Sequence, residues 1–153
     1  METITSNQQK YKNYKEQFRR LNKALSNEFN LEAIFIEYAI MEDRTESALR
    51  YAESWESYLK SRKGREPNID SKIRYIKKRA ENKKSVLHRY FTDELLDSVL
   101  SWKDERNCLI HALLKQELTH DELMDLAQRD KELTINLRNR VGNCNGAIEK
   151  VAR

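Results

Sequence analysis

The scarcity of helix-breaking residues constrains the fold of this chain more than any other feature. Three Gly and one Pro occur among 153 residues, and residues 63–68 are the only stretch of the first 140 that contains either. So few breakers cannot supply the turns of a β-sandwich or of a doubly wound α/β sheet. A length near 150 residues is typical of one domain with a single core. The sequence therefore predicts one all-α domain over residues 1–153.

Apolar residues at helical spacing predict about five helices. Steps of three and four recur over residues 6–28, 30–62, 70–80 and 92–116, and again from residue 119 to the end of the chain. Thr119 and Glu122 have the spacing of a capping box at the start of the last helix. Because the predicted connections are short, we expect an up-and-down bundle of four to five helices.

Hydropathy and cysteine content indicate the cellular compartment that we expect for this protein. The mean hydropathy is −0.90, and no apolar run is long enough to cross a bilayer. The first ten residues are polar and do not resemble a signal peptide. Two cysteines, Cys108 and Cys144, are too few for a disulfide framework. We expect a cytoplasmic protein with no membrane partner.

Positive charge is concentrated in residues 60–84, which we call the basic block. This block holds 11 Lys or Arg and three Asp or Glu, whereas the rest of the chain holds 18 basic and 22 acidic residues. Such a concentration is typical of a phosphate-facing surface, although a solvated helix face has the same composition. The candidate RNA-binding residues lie on the predicted helix over 70–80: Lys72, Arg74, Lys77, Lys78 and Arg79.

Motifs for cofactor and metal chemistry are missing from the sequence. There is no phosphate-binding P-loop, no Gly-rich dinucleotide fingerprint, no HExxH and no pair of CxxC motifs. Three His and two Cys are scattered along the chain, and the ExxH pairs of di-iron bundles do not occur. We therefore expect neither a cofactor nor a metal site.

One charged residue interrupts an apolar stripe of the helix predicted over 92–116. Arg106 lies between Trp102 and Leu109, where a full charge is not expected without a partner. Asn107 and His111 are four residues apart and share a face, but Arg106 and His111 point about 140° apart on an ideal helix. A guanidinium can bind phosphate, and an imidazole can carry a proton near neutral pH. The alternative is an arginine paired to a carboxylate beside a structural histidine.

The pattern Arg106-Asn107-x-x-x-His111, in a late helix of a small bundle, resembles the HEPN domain superfamily. The signature of that superfamily is an Arg followed, after four to six residues, by a His. The resemblance covers the helical architecture of most of the chain, but its specific motif is only six residues long. It implies a HEPN-like fold and a metal-independent endoribonuclease of toxin or antiviral-defence type. It also implies a homodimer whose facing motifs form one cleft, which would overcome the 140° separation.

The resemblance assigns a role to each motif residue. Arg106 would hold the scissile phosphate, and His111 would serve as general base or acid for attack by the ribose 2′-hydroxyl. Asn107 would orient His111 or the phosphate. Because HEPN domains often carry an acidic residue on an earlier helix, Glu42 and Asp43 are supporting candidates, although a surface salt bridge would also explain Glu42.

The resemblance also bears on regulation. An antitoxin or another regulatory protein is a partner that it implies. Some HEPN toxins whose antitoxin is a nucleotidyltransferase have a Tyr two residues after the motif His, and this chain has Leu113 there. Modification of a tyrosine at this position is therefore not expected.

Three functions remain open from the sequence. The first is a HEPN-type ribonuclease, and the second is a non-catalytic HEPN-like module that binds RNA, a nucleotide or a protein. The third is a helical adaptor with no nucleic-acid role. Loss of RNA cleavage in Arg106 and His111 variants would separate the first from the other two.

Overall fold

Seven α-helices make up the regular structure of the chain. The computed structural model describes residues 7–113, 115 and 119–152, and no strand occurs in that part. The helices are α1 (Asn7–Ser26), α2 (Asn30–Tyr51), α3 (Trp55–Ser61), α4 (Ile69–Ala80), α5 (Val86–Tyr90), α6 (Asp93–Ala112) and α7 (His120–Ala152). None of these helices, as far as they are described, is long and apolar enough to cross a membrane. The all-α prediction is confirmed.

The helix predicted over residues 30–62 is divided into α2 and α3. Glu53 adopts a left-handed conformation with φ 52°. The N–H of Ser54 donates to the carbonyl of Leu49 at 2.9 Å, and that of Glu53 donates to Arg50 at 3.1 Å. These two bonds are those of a Schellman motif, which ends a helix and redirects the chain. The prediction of one long helix is therefore wrong.

Packing of α3 against α4 explains the break. Tyr58 of α3 is 0% exposed. Its ring lies edge-on to that of Tyr75 at a centroid distance of 5.6 Å. The hydroxyl groups of Tyr58 and Ser71 are hydrogen-bonded at 2.7 Å. A straight continuation of α2 would carry Tyr58 away from α4, so a tertiary contact ends the helix where the sequence has neither Gly nor Pro.

The central helix is α2, which packs against α1, α4 and α7. Most of its buried side chains are apolar and recur in steps of three and four, as the helical period requires. They join the rest of the core in one continuous cluster with side chains from α1 and α3 to α7. The largest fully buried apolar members are Leu21, Ile34, Met41, Leu49, Tyr58, Ile73, Ile76, Leu87, Leu96, Val99 and Leu137.

Helix directions depart from a simple up-and-down order. Hairpins form between α1 and α2, where Arg44 contacts Tyr14 at 2.8 Å, and between α6 and α7, where Arg129 contacts Glu105 at 2.9 Å. By contrast, α2 and α7 run parallel. The Asn145 amide donates to Ser47 Oγ at 3.1 Å towards the C-terminal end of both helices.

The number of helices also differs from the expectation. We predicted four to five helices, and the described part of the chain has seven. The two additional helices are short: α3 arises from the break at Glu53, and α5 lies in what we expected to be a connection. The chain reverses direction through α3 and the loop after it. Because α2 and α4 are both antiparallel to α6, α4 has the same direction as α2.

Candidate functional site

The motif predicted to carry the chemistry lies in the C-terminal half of α6. Thr92 caps this helix by accepting a hydrogen bond from the N–H of Leu95 at 3.3 Å. Trp102 anchors the middle of the helix in the core with 3% exposure. Beyond this anchor, Arg106 and Asn107 are half-buried and His111 is exposed.

Arg106 lies on two aromatic rings of α2. Its Cζ atom is 3.9 Å from the ring centroid of Tyr38 and 5.6 Å from that of Phe35. Its Nη1 atom donates to Asn107 Oδ1 at 3.1 Å. Within the described part of the chain, no carboxylate forms an ion pair with Arg106. The π faces stabilise the cation without neutralising it.

Tyr38, on whose ring Arg106 packs, is uncharged near neutral pH. Burial and the negative charge of Glu42 raise the pKa of Tyr38, while Arg106 and Lys103 act against that shift. The Tyr38 ring also packs against Trp102, with centroids 6.0 Å apart. Tyr38 therefore presents a neutral ring, held in place by the core, to the guanidinium.

His111 does not meet Arg106 within one chain. It is exposed on α6, and no described residue forms a hydrogen bond or an ion pair with it. Five residues of helix separate the two side chains by about 140° around the axis. A single copy therefore presents the Arg106 guanidinium and the His111 imidazole in different directions.

The two acidic supporting candidates lie elsewhere. Glu42 Oε1 is 3.7 Å from Lys72 Nζ. Asp43 accepts hydrogen bonds from the Tyr14 hydroxyl and from Arg44 Nη2, the latter at 2.9 Å. Within one copy neither carboxylate pairs with Arg106 or contacts His111, so their supporting role stays a prediction. Asp43 lies on the other side of α2, facing α1.

Lys72 of the basic block is buried. Its side chain is 3% exposed and lies between Glu42 and Glu46, with Nζ 3.5 Å from Glu46 Oε2. It is also 6.0 Å from the ring centroid of Trp55. Lys72 is thus part of the contact between α2 and α4. Because its side chain is buried there, the prediction that it binds RNA is wrong.

The other basic candidates on α4 are exposed or half-buried, and most have partners. Arg74 pairs with Asp70 at 2.8 Å, and Lys77 pairs with Asp97 at 2.7 Å. Arg79 Nη2 donates to the Tyr75 hydroxyl at 3.0 Å. Lys78 is exposed, and no described residue pairs with it.

The direction of α4 takes its C-terminal end, with Lys77, Lys78 and Arg79, away from the motif. Asp70, at the start of α4, contacts Lys103 at 2.7 Å, and Lys77 contacts Asp97 at 2.7 Å, so α4 and α6 are antiparallel. At 1.5 Å per residue, Asp97 is about 21 Å along α6 from His111. The basic end of α4 therefore does not border the motif.

Sequence reasoning missed a pair of buried carboxyl groups between α2 and α7. Glu37 is 0% exposed and Asp130 is 3% exposed. Both Glu37 oxygens and Asp130 Oδ2 lack a hydrogen-bond partner in the described part of the chain. The signal was present, because Glu37 is three residues after Ile34 and four before Met41, on the apolar stripe of α2.

Nothing in the described residues assembles three or more His, Cys, Asp or Glu side chains that could hold a metal ion. Cys108 is exposed and Cys144 is buried, and both are free thiols. Comparisons of the chain with protein families, with characterised proteins and with solved structures find no match.

Proposed function

We propose that this chain is a metal-independent endoribonuclease of HEPN type, in the toxin or antiviral-defence class, that acts as a homodimer. The observation that supports this most is the state of Arg106. Its guanidinium rests on Tyr38 and Phe35, and the described residues offer it no carboxylate. An anion is the missing partner, and an RNA phosphate fits a guanidinium.

The chemistry requires one phosphate-binding group and a proton carrier. Arg106 neutralises charge that develops on the non-bridging oxygens of the scissile phosphate. An imidazole of His111 takes the proton of the ribose 2′-hydroxyl, whose oxygen then bonds to phosphorus. The bond from phosphorus to the 5′ oxygen breaks, and that oxygen takes the proton from the imidazolium that the first step formed. The products are a 2′,3′-cyclic phosphate and a 5′-hydroxyl end.

A second copy supplies what one chain lacks. The α6 motif of one copy faces that of the other in a two-fold dimer, so Arg106 of one chain is completed by an imidazole across the interface. Phe35 supports this arrangement, because it lies beside Arg106 and is 50% exposed. An exposed large aromatic ring next to an incomplete site is suited to contact with a partner.

A non-catalytic RNA-binding module is the second candidate. The separation of Arg106 and His111 in one chain favours it if the protein stays monomeric. In that case Arg106 still binds phosphate, and affinity for RNA falls steeply with salt, but no strand is cut.

Incubation of the purified protein with total RNA in EDTA tests the proposal. We expect cleavage by the wild type, with a loss of about 100-fold or more in His111→Ala and Arg106→Ala. Arg106→Lys keeps the charge but loses the planar fork, so its activity should be intermediate. His120→Ala is the matched control, because His120 is an exposed histidine whose described partner is Glu28, 3.5 Å away.

Two results would overturn the ribonuclease. One is intact RNA with folded, dimeric wild-type protein, and the other is equal cleavage by wild type and His111→Ala. Circular dichroism of each variant distinguishes loss of chemistry from loss of folding. Detection of 2′,3′-cyclic phosphate ends would support the role of the 2′-hydroxyl.

A further inference from the structure

A cavity lies between α1, α2 and α7. Its volume is about 690 Å³, and no Asp or Glu occurs among the described residues that line it. That volume is within the range of small-molecule sites, roughly 300–1,000 Å³. We call it the cationic–aromatic pocket, because Lys, Arg, Tyr and Phe side chains make up most of its wall.

Four cations converge on this pocket from three helices. They are Lys10 and Lys15 of α1, Arg44 of α2 and Arg138 of α7. Arg44 is paired with Asp43, which lies outside the lining. In the described part of the chain the other three form no ion pair. Asp43 offsets one of the four charges and also interacts with Lys10, so the pocket keeps a net positive charge.

Aromatic rings hold two of these cations in place. Arg44 Cζ lies 4.2 Å from the ring centroid of Tyr14, and Arg138 Cζ lies 4.5 Å from that of Phe18. Tyr11, another lining residue, is 71% exposed and is the most exposed large hydrophobic residue described. Its ring is accessible as a stacking surface next to fixed positive charge.

A buried acceptor also lines the pocket. Asn145 is 9% exposed and donates through Nδ2 to Ser47 Oγ at 3.1 Å. Its Oδ1 atom is buried and has no hydrogen-bond partner in the described residues. A buried polar atom without a partner is costly, and a ligand N–H or O–H would satisfy it.

We propose that the cationic–aromatic pocket binds a free nucleoside di- or triphosphate. The phosphates contact Lys10, Lys15 and Arg138, while the planar base stacks on Tyr11. Asn145 Oδ1 accepts from a donor group of the nucleoside. A single nucleotide suits the pocket better than an RNA strand, because the cations converge on one cavity instead of following a track.

This site is separate from the α6 motif. Its α2 residues Arg44, Ser47 and Tyr51 line a space shared with α1 and α7, whereas Phe35 and Tyr38 support Arg106 of α6. The inference therefore does not depend on ribonuclease activity. Nucleotide binding that survives in Arg106→Ala and His111→Ala would show that the two sites are independent.

Isothermal titration calorimetry of the full chain in EDTA tests the proposal. The probes are ATP, ADP, tripolyphosphate and adenosine. We expect one ATP per chain and much weaker binding of adenosine. Arg138→Gln and Lys15→Gln should each weaken ATP binding by about tenfold, because each removes a charge-assisted contact to phosphate.

Tyr11 provides an independent variant for the base. Tyr11→Ala should weaken ATP binding by about tenfold but leave tripolyphosphate binding unchanged, whereas Tyr11→Phe should retain ATP affinity. Lys12→Gln is the matched control, because Lys12 is an exposed lysine of α1 that is not among the lining residues.

Several outcomes would overturn this site. They are an absence of ATP and ADP binding at millimolar concentration, equal binding of adenosine and ATP, and unchanged ATP affinity in both Arg138→Gln and Lys15→Gln. Binding of a short RNA oligonucleotide in the pocket without any binding of free nucleotide would also contradict it. None of these outcomes alters the expected RNA cleavage, so the two proposals fail separately.

Discussion

Glu37 combines complete burial with a charge-bearing side chain. Burial, together with the nearby carboxyl group of Asp130, raises its pKa to about 9, although Lys131 acts against the shift. Burial likewise raises the pKa of Asp130 to about 8, against the attraction of Arg129. Both carboxyl groups are therefore largely protonated in the folded protein at neutral pH, which avoids two unpaired charges in the core.

These two pKa values predict that the free energy of unfolding decreases as pH rises. Between about pH 4 and pH 9 the folded chain keeps protons that the unfolded chain has released. A group that is protonated in the folded chain and ionised in the unfolded chain lowers the free energy of unfolding by about 1.4 kcal/mol for each unit that the pH rises. In urea denaturation from pH 5 to pH 9, Glu37→Gln and Asp130→Asn should flatten this decrease.

Glu56→Gln is the control for this titration, because Glu56 is an exposed glutamate of α3. It should leave the slope with pH unchanged. A wild-type free energy of unfolding that is constant from pH 5 to pH 9 would contradict the raised pKa values. So would the same slope in Glu37→Gln and in the wild type.

At the scale of single helices, the contact between α4 and α2 depends on one buried lysine. Lys72 is flanked by Glu42 and Glu46, whose side chains are 35% and 33% exposed. We expect Lys72→Ala to lower the free energy of unfolding by about 1–3 kcal/mol, because it leaves Glu42 without a cation and Glu46 with Arg50 alone. Urea denaturation at neutral pH measures the change.

Lys78→Ala is the matched variant in the same helix. Lys78 is exposed and unpaired in the described part of the chain, so its removal should change the free energy of unfolding by less than about 0.5 kcal/mol. Equal effects of the two substitutions would show that Lys72 is not a structural residue. This comparison separates the buried part of the basic block from its solvated part.

Local sequence patterns predicted most of the helical elements but not their spatial relations. The spacing of apolar residues located α1, α4, α6 and α7 within a few residues, because that signal depends only on helical period. The break after α2, at the left-handed residue Glu53, depends on how Tyr58 packs against α4. The sequence near the break contains no Gly or Pro that would predict it. The partners of Glu42 and Asp43 likewise depend on which helix faces each side of α2.

The sequence predicted one of the two candidate sites, the α6 motif, but not the other, the cationic–aromatic pocket. Arg106 was identifiable because a charge on an apolar stripe requires an explanation, and its position on Tyr38 supplies one. The cationic–aromatic pocket was not identifiable. Its cations are contributed by positions 10, 15, 44 and 138, which only the packing of α1, α2 and α7 brings together.

At the scale of the whole molecule, the proposed activity depends on assembly. We expect sedimentation velocity to show a dimer at the concentrations used for RNA cleavage. Phe35→Lys should give a monomer, since it places a charge in an apolar contact without offering Arg106 a carboxylate, and should abolish cleavage. Glu56→Lys, at an exposed glutamate of α3, is the control. An active monomer would contradict the dimeric site.

Mixing inactive variants tests whether the two copies share one site. Arg106→Ala and His111→Ala are each expected to be inactive as homodimers. If Arg106 of one copy acts with His111 of the other, a heterodimer of these variants has one intact site and one lacking both groups. Random exchange of equal amounts should then restore roughly a quarter of the wild-type rate. If both groups act within one chain, every site in the mixture lacks one of them, and activity stays absent however long the subunits exchange.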